Sequence, residues 1–126
     1  MIRIVVGGAV SKKEIADKVK ELGGDKVSVE IKSDIDAAIA VKSGKADYYL
    51  GACVTGGGGA LAMAIAILTY QKCAVISASG RPPQKEEVEK AVKEGKLAFG
   101  FANDHIDRAV SYILEAIFKN KETNIT

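Results

Sequence analysis

Ala46-Asp47-Tyr48-Tyr49-Leu50-Gly51-Ala52-Cys53-Val54-Thr55-Gly56-Gly57-Gly58-Gly59 is followed by an apolar stretch running from Ala60 to Tyr70. The first seven residues read as a strand, and the four glycines cannot continue it or sit inside a helix, where each would cost about 1 kcal/mol. In 60–70 alanine alternates with Leu61, Met63, Ile65 and Ile67. Period two favours a strand, but the length and alanine content favour a helix. A helix of this composition is apolar all round and has to be covered on more than one side. The reading is therefore strand, glycine loop, helix.

The same alternation extends in both directions. Residues 2–6 form an unbroken apolar run, as in a strand covered on both faces. Ser11 with Glu14 has the spacing of a capping box, and behind it Ile15, Val19 and Leu22 fall on one helical face until Gly23 and Gly24. Val27, Val29 and Ile31 alternate with polar residues, the mark of an edge strand. Ser33 or Asp34 caps a second helix with a predicted buried stripe of Ile35, Ala38 and Ile39, closed by Gly44. Beyond the glycine loop, 73–77 is a fourth strand. Pro82 and Pro83 lead into a charged helix with a thin stripe of Val88, Ala91 and Val92, ended by Gly95. Residues 97–101 are a fifth strand. The last helix places Ile106, Ala109, Val110, Ile113, Leu114 and Ile117 on one face, and a polar, frayed tail is expected from about residue 120.

Five strand–helix units predict a single α/β domain over 1–126. The expected architecture is a three-layer Rossmann-like fold, a five-stranded parallel sheet with helices on both faces joined by right-handed crossovers. The chain has 126 residues, 48% apolar and 27% charged, enough for one core. Lys and Arg exceed Asp and Glu by only two, and aromatic residues are 6%, which argues against a nucleic-acid partner. No charge lies between Asp47 and Lys72, but the glycines break the roughly 20-residue apolar run a spanning helix needs. Two cysteines make no disulfide framework, no metal or cofactor signature is present, and the start lacks a signal-peptide pattern. A reducing, cytoplasmic setting is expected.

Ligands of open parallel sheets bind beyond the carboxyl ends of the strands. Gly7 and Gly8, Thr55 with Gly56, Gly57, Gly58 and Gly59, Ser79 with Arg81, and Asn103 with Asp104 occupy those loops and are the candidate ligand-binding residues. Glycines let the backbone approach a ligand, and a helix start supplies free N–H groups, which suits phosphate or carboxylate. The alternative is that these glycines only permit tight helix–sheet packing. Cys53 is the candidate nucleophile or base, a thiol at a helix start being more readily ionised; as a plain core residue it needs no chemistry. His105, the only histidine, is a candidate acid, or else a solvated residue of a first turn. Asp104 is also a natural cap of the last helix. Arg81 suits a clamp on an anion or a free surface. Packing accounts for Tyr48 and Tyr49, and helix-start charge for Asp34 and Asp36.

Two resemblances rest on these residues. Val41-Lys42-Ser43-Gly44, Asp47 through Cys53, Thr55-Gly56 onward to Ala66, Glu94-Gly95-Lys96, Phe99-Gly100 and His105 resemble the YhfU-like family, small bacterial proteins classed as a domain of unknown function. The resemblance covers most of the chain and implies no activity. Locally, Cys53-Val54-Thr55-Gly56-Gly57-Gly58 is similar to the Cys-x-Thr-Gly-x-Gly loop of type B ribose-phosphate and galactose-phosphate isomerases. That likeness implies Cys53 as the proton-abstracting base, with Thr55 to Gly58 as the cradle of an enediolate. The isomerases carry an Asp-His pair after the first strand, where this chain has Gly7-Gly8-Ala9-Val10, and the loop here holds one glycine more.

The functional expectation is a binding protein for a small anionic metabolite, a phosphorylated sugar or carboxylate, with isomerase-like proton transfer through Cys53. The alternative is a non-catalytic accessory or regulatory protein, a homo-oligomer through the helix from Ala60 to Tyr70, whose apolar surface exceeds what one sheet covers.

Overall fold

A computed structural model describes residues 1–55 and 58–125. Five parallel strands, β1 (Ile2–Gly8), β2 (Val27–Ile31), β3 (Tyr48–Cys53), β4 (Cys73–Val75) and β5 (Ala98–Ala102), form one sheet in the order β2-β1-β3-β5-β4. The helices are α1 (Lys12–Gly23), α2 (Asp34–Lys42), α3 (Ala62–Leu68), α4 (Lys85–Lys93) and α5 (Ile106–Ile125). α1 and α4 pack with α5 on one face; α2 packs with α3 on the other. Crossovers from β1 to β2 and from β4 to β5 step one way along the sheet, and the other two step the opposite way. Segregating the helices by step direction is what a single crossover hand requires. The chain is thus a three-layer, Rossmann-like α/β domain, with the even-patterned β2 at an edge.

Each face has its own apolar layer. Ile4, Val6, Leu50, Phe99 and Phe101 meet α1, α4 and α5, while Val5, Tyr49 and Ala98 meet α2 and α3. At the amino ends of the strands Arg3 and Asp47 clamp β1 to β3. The Arg3 amide donates to Asp47 Oδ2 at 2.8 Å and Nη2 to Oδ1 at 3.0 Å. The hydrogen bond from Arg3 holds the Asp47 carboxyl below its usual range.

Several local expectations are corrected. Ser11 makes no side-chain cap: it lies in the left-handed region, φ 58°, because the preceding Val10 is drawn onto β3, its amide on the Ala52 carbonyl at 3.3 Å. Leu22 is exposed. In α2 the cap is Ser33, which accepts from the Asp36 amide, but the buried side is Ala37, Ala38, Ala40 and Val41. Ile35 and Ile39 are 50% and 48% exposed. Small residues win the inner face because α2 lies so close to β1 that a Cβ at Gly7 would sit 3.0 Å from that of Ala37. The apolar stretch 60–70 is not one helix. A 3-10 turn (Gly58–Ala60), the seven residues of α3 and a second turn (Tyr70–Lys72) divide it, and Ala62, Met63, Ala66 and Tyr70 are exposed. β3 starts and ends later than predicted, β4 is shorter, and α5 continues through the expected tail to Ile125. No helix among the described residues is long and apolar enough to cross a membrane.

The break after α3 is strained. Thr69 has φ 84° and ψ 153°, a conformation that a β-branched residue adopts only under constraint. Its backbone is held by bonds to the Ile65 carbonyl and from the Lys72 amide. Thr69→Gly is expected to stabilise the fold by about 1 kcal/mol in urea titration; an unchanged midpoint would show the site to be relaxed.

Candidate functional site at the carboxyl edge of the sheet

Two clusters form where the strands end. The first is built on a row of glycines. Gly7, Gly51 and Gly100 stand in register across β1, β3 and β5. Their missing side chains leave room for the fully buried Tyr49, whose ring would lie 2.6 Å from a Cβ at Gly7 and 3.0 Å from one at Gly51; at Gly100 the space is taken by Leu61. The Tyr49 hydroxyl donates to Asp34 Oδ1 and lies 3.2 Å from the Ala60 carbonyl oxygen. Asp34 Oδ1 also accepts from the Gly8 amide at 3.3 Å. Burial, reinforced by the Asp34 carboxylate, pushes the Tyr49 phenol well above its ordinary range. One carboxylate thus gathers the ends of β1 and α2 and, through Tyr49, the entry to α3. The Gly8 amide, a candidate anion donor, holds the protein's own carboxylate. The β1 loop folds onto β3 beside it, with the Ala9 amide on the Ala52 carbonyl at 3.0 Å.

The second cluster lies at β3, β5 and β4. Cys53 ends β3, buried, with Sγ 3.7 Å from Thr55 Oγ1, and a Cβ at Gly59 would stand 3.6 Å from the sulfur. Thr55 is tied to the next loop by the Ser79 amide, which donates to its carbonyl at 2.8 Å. Gly58 and Gly59 belong to the 3-10 turn; Gly56 and Gly57 lie outside the described residues. In register Cys53 pairs with Ala102. The Ala102 amide donates to Ser77 Oγ at 3.1 Å, and the same oxygen lies 3.1 Å from His105 Nδ1. Ser77 is fully buried. The buried hydroxyl thus bridges the β5 backbone and the imidazole ring. Cys53 and His105 therefore leave from neighbouring strand ends, linked through Ala102 and Ser77.

His105 also borders an open cleft of about 360 Å³ with Asn103, Asp104, Glu14, Asp107 and Arg108. Asp104 lies in the 3-10 turn Asn103–His105 that leads into α5, its carboxylate 3.7 Å from Nδ1. Arg81 closes a tight turn, Ala78 and Arg81 exchanging backbone bonds around Gly80 at φ 76°. Its guanidinium lies 3.8 Å from Glu87 and is half exposed. Sequence reasoning missed Asp34, Tyr49 and Ser77 as members of these clusters.

The fold and its glycine-lined strand ends define a doubly wound parallel α/β domain. The chain belongs to the family described as protein of unknown function DUF2620, whose model matches residues 2–117. It is 37% identical over 114 residues to the uncharacterized protein YhfU of Escherichia coli strain K12, a match covering 90% of this chain and 97% of the relative. The YhfU proteins of Escherichia coli O6:H1 and Shigella flexneri match to the same extent. No solved structure matches the chain.

Proposed function

We propose that this chain binds a small anionic metabolite, a phosphorylated sugar or a carboxylate, across the carboxyl ends of β3 and β5, and that Cys53 and His105 act on it by isomerase-like proton transfer. The reading is carried by the pairing of Cys53 with Ala102, the residue whose amide is bound to the serine that holds His105. In this mechanism the Cys53 thiolate removes a proton from a carbon next to a carbonyl, and the electron pair moves onto the carbonyl oxygen. His105 supplies a proton to that oxygen, giving an enediol; His105 then takes back the proton of the hydroxyl on the deprotonated carbon, that oxygen's electron pair forms the new carbonyl, and the thiol proton is delivered to the former carbonyl carbon. The 3-10 turn Gly58–Ala60 supplies backbone for the anionic group.

A thermal-shift screen against phosphorylated sugars and small carboxylic acids tests this. A ligand at a hundredfold excess over its dissociation constant should add about 2.7 kcal/mol, and the same ligand should slow alkylation of Cys53, located by peptide mass spectrometry. Cys53→Ala should abolish turnover and barely move Tm. A ligand that stabilises the fold while leaving Cys53 alkylation unchanged would place the site elsewhere.

A second reading, a non-catalytic oligomeric accessory protein, is favoured by one observation: α2 and α3, side by side on one face, expose Ile35, Ile39 and Met63 to solvent.

A further inference from the structure

We infer that Ser77 is a positioning residue for His105: its hydroxyl donates to Nδ1, which leaves Nε2 as the nitrogen that gives and takes the proton. The inference deepens the proton-transfer reading above and rests on it. Ser77 is completely buried, so its hydroxyl has to find its partners within the protein. A hydroxyl has one hydrogen to give. The Ala102 amide donates to Oγ at 3.1 Å and cannot accept. Among the described residues His105 Nδ1, also at 3.1 Å, is the one acceptor that the hydroxyl meets. Were the ring hydrogen on Nδ1, Oγ would receive two hydrogens while its own had nowhere to go, and a buried donor left in that state is costly. Asp104 Oδ1 does not compete for Nδ1, standing 3.7 Å away, beyond hydrogen-bond reach.

The serine is itself held on both sides. One residue before it, the Ile76 amide donates to the Gly100 carbonyl at 2.7 Å; two residues after it, the Ser79 amide donates to the Thr55 carbonyl at 2.8 Å. The short strand β4 thus reaches the site through Ser77 and fixes both the direction of the imidazole and its tautomer. The ring is 18% exposed and borders the open cleft. With Nδ1 turned to a buried serine, Nε2 is the nitrogen left for the cleft. A hydrogen bond into Nδ1 takes up electron density as the Nε2 proton departs to the substrate oxygen, and returns it when Nε2 takes the neighbouring hydroxyl's proton.

His105 is the only histidine, so nitrogen-15 NMR of the labelled full chain reads this ring alone. At about pH 9, where an ordinary imidazole is neutral, the hydrogen should sit on Nε2, with the Ser77 hydroxyl proton shielded from exchange and coupled to Nδ1. A hydrogen on Nδ1 overturns the inference. Ser77→Ala should release the ring and raise the share of the Nδ1–H tautomer about tenfold, and Ser77→Thr, which keeps the hydroxyl, should restore the wild-type pattern. An alanine variant with the wild-type pattern would reduce Ser77 to a clip on β5 and overturn the inference; if alanine prevents folding, the wild-type spectrum decides alone. With the phosphorylated sugar or carboxylic acid returned by the thermal-shift screen, Ser77→Ala should lower kcat about a hundredfold and leave KM nearly unchanged. A change in KM alone overturns the positioning role. A screen in which no compound protects Cys53 overturns the proton-transfer reading instead, with the bond to Nδ1 still seen in the spectrum.

Discussion

Tyr49→Ala should lose about 4 kcal/mol of stability, the range for emptying a buried aromatic site, and Tyr49→Phe only about 1–2 kcal/mol. The ring fills the space left by Gly7 and Gly51, so alanine leaves a cavity that no neighbour on a rigid sheet can close. Phenylalanine keeps the ring and removes only the hydroxyl shared by Asp34 and the Ala60 carbonyl. Urea titration of the two variants separates these contributions; equal losses would mean that the hydroxyl, not the ring, holds the layer. The pair also differs at high pH. The folded phenol ionises well above its ordinary value, through burial first and Asp34 second, whereas the unfolded one ionises near 10. The unfolded chain then binds fewer protons than the folded one as pH rises past that value. Stability is intact below it and falls above it by about 1.4 kcal/mol per pH unit for one group. Tyr49→Phe should lack that increment, and parallel alkaline curves for the variant and the wild type would refute the assignment.

Gly8→Ala should cost about 3 kcal/mol and lower Tm by roughly 10 °C. Two effects combine at this position. Its φ of 79° is a left-handed conformation, which a Cβ disfavours by about 1–2 kcal/mol. In addition, that Cβ would stand 2.7 Å from the Ala52 nitrogen and 2.9 Å from the Gly51 Cα, backbone atoms that cannot rotate away. Gly24 separates the two effects: its φ is 52°, and no atom lies within 4 Å of its added Cβ. Gly24→Ala should therefore cost only about 1 kcal/mol. Equal losses at the two sites would show that β1 and β3 are less tightly apposed at their carboxyl ends than the register implies.

Elements whose pattern is set by a covered face were legible in the sequence. α5 repeats its apolar residues at helical spacing, β2 alternates as an edge strand does, and Gly24, Gly44 and Gly95, all with positive φ, close the helices where their chemistry suggests. The α2 stripe was not legible, because periodicity marks where the large apolar residues lie without saying which way they point. At α2 the close approach to the sheet selected alanines inward and turned Ile35 and Ile39 out. Ser11 misled for a similar reason: the spacing of a capping box is local, whereas the backbone there obeys a bond from Val10 to β3.

The site was legible only as a set of loops. Asp34 meets Tyr49 across 15 positions and Ser77 meets His105 across 28, and nothing in either residue's neighbourhood announces its partner. The strand order supplies both meetings, and it is a property of the whole chain. The one weak signal was position, since Asp34 and Ser77 each follow the carboxyl end of a strand.

That order also governs assembly during synthesis. The strand made last, β5, is inserted between β3 and β4, and β4 hydrogen-bonds to β5 alone. A nascent chain that has emerged only through residue 97 can zip β1, β2 and β3 together, but β3 still carries a bare edge and β4 has nothing to pair with. Cys53 and Ser77 then wait, translated but unaligned, until β5 arrives to thread the gap.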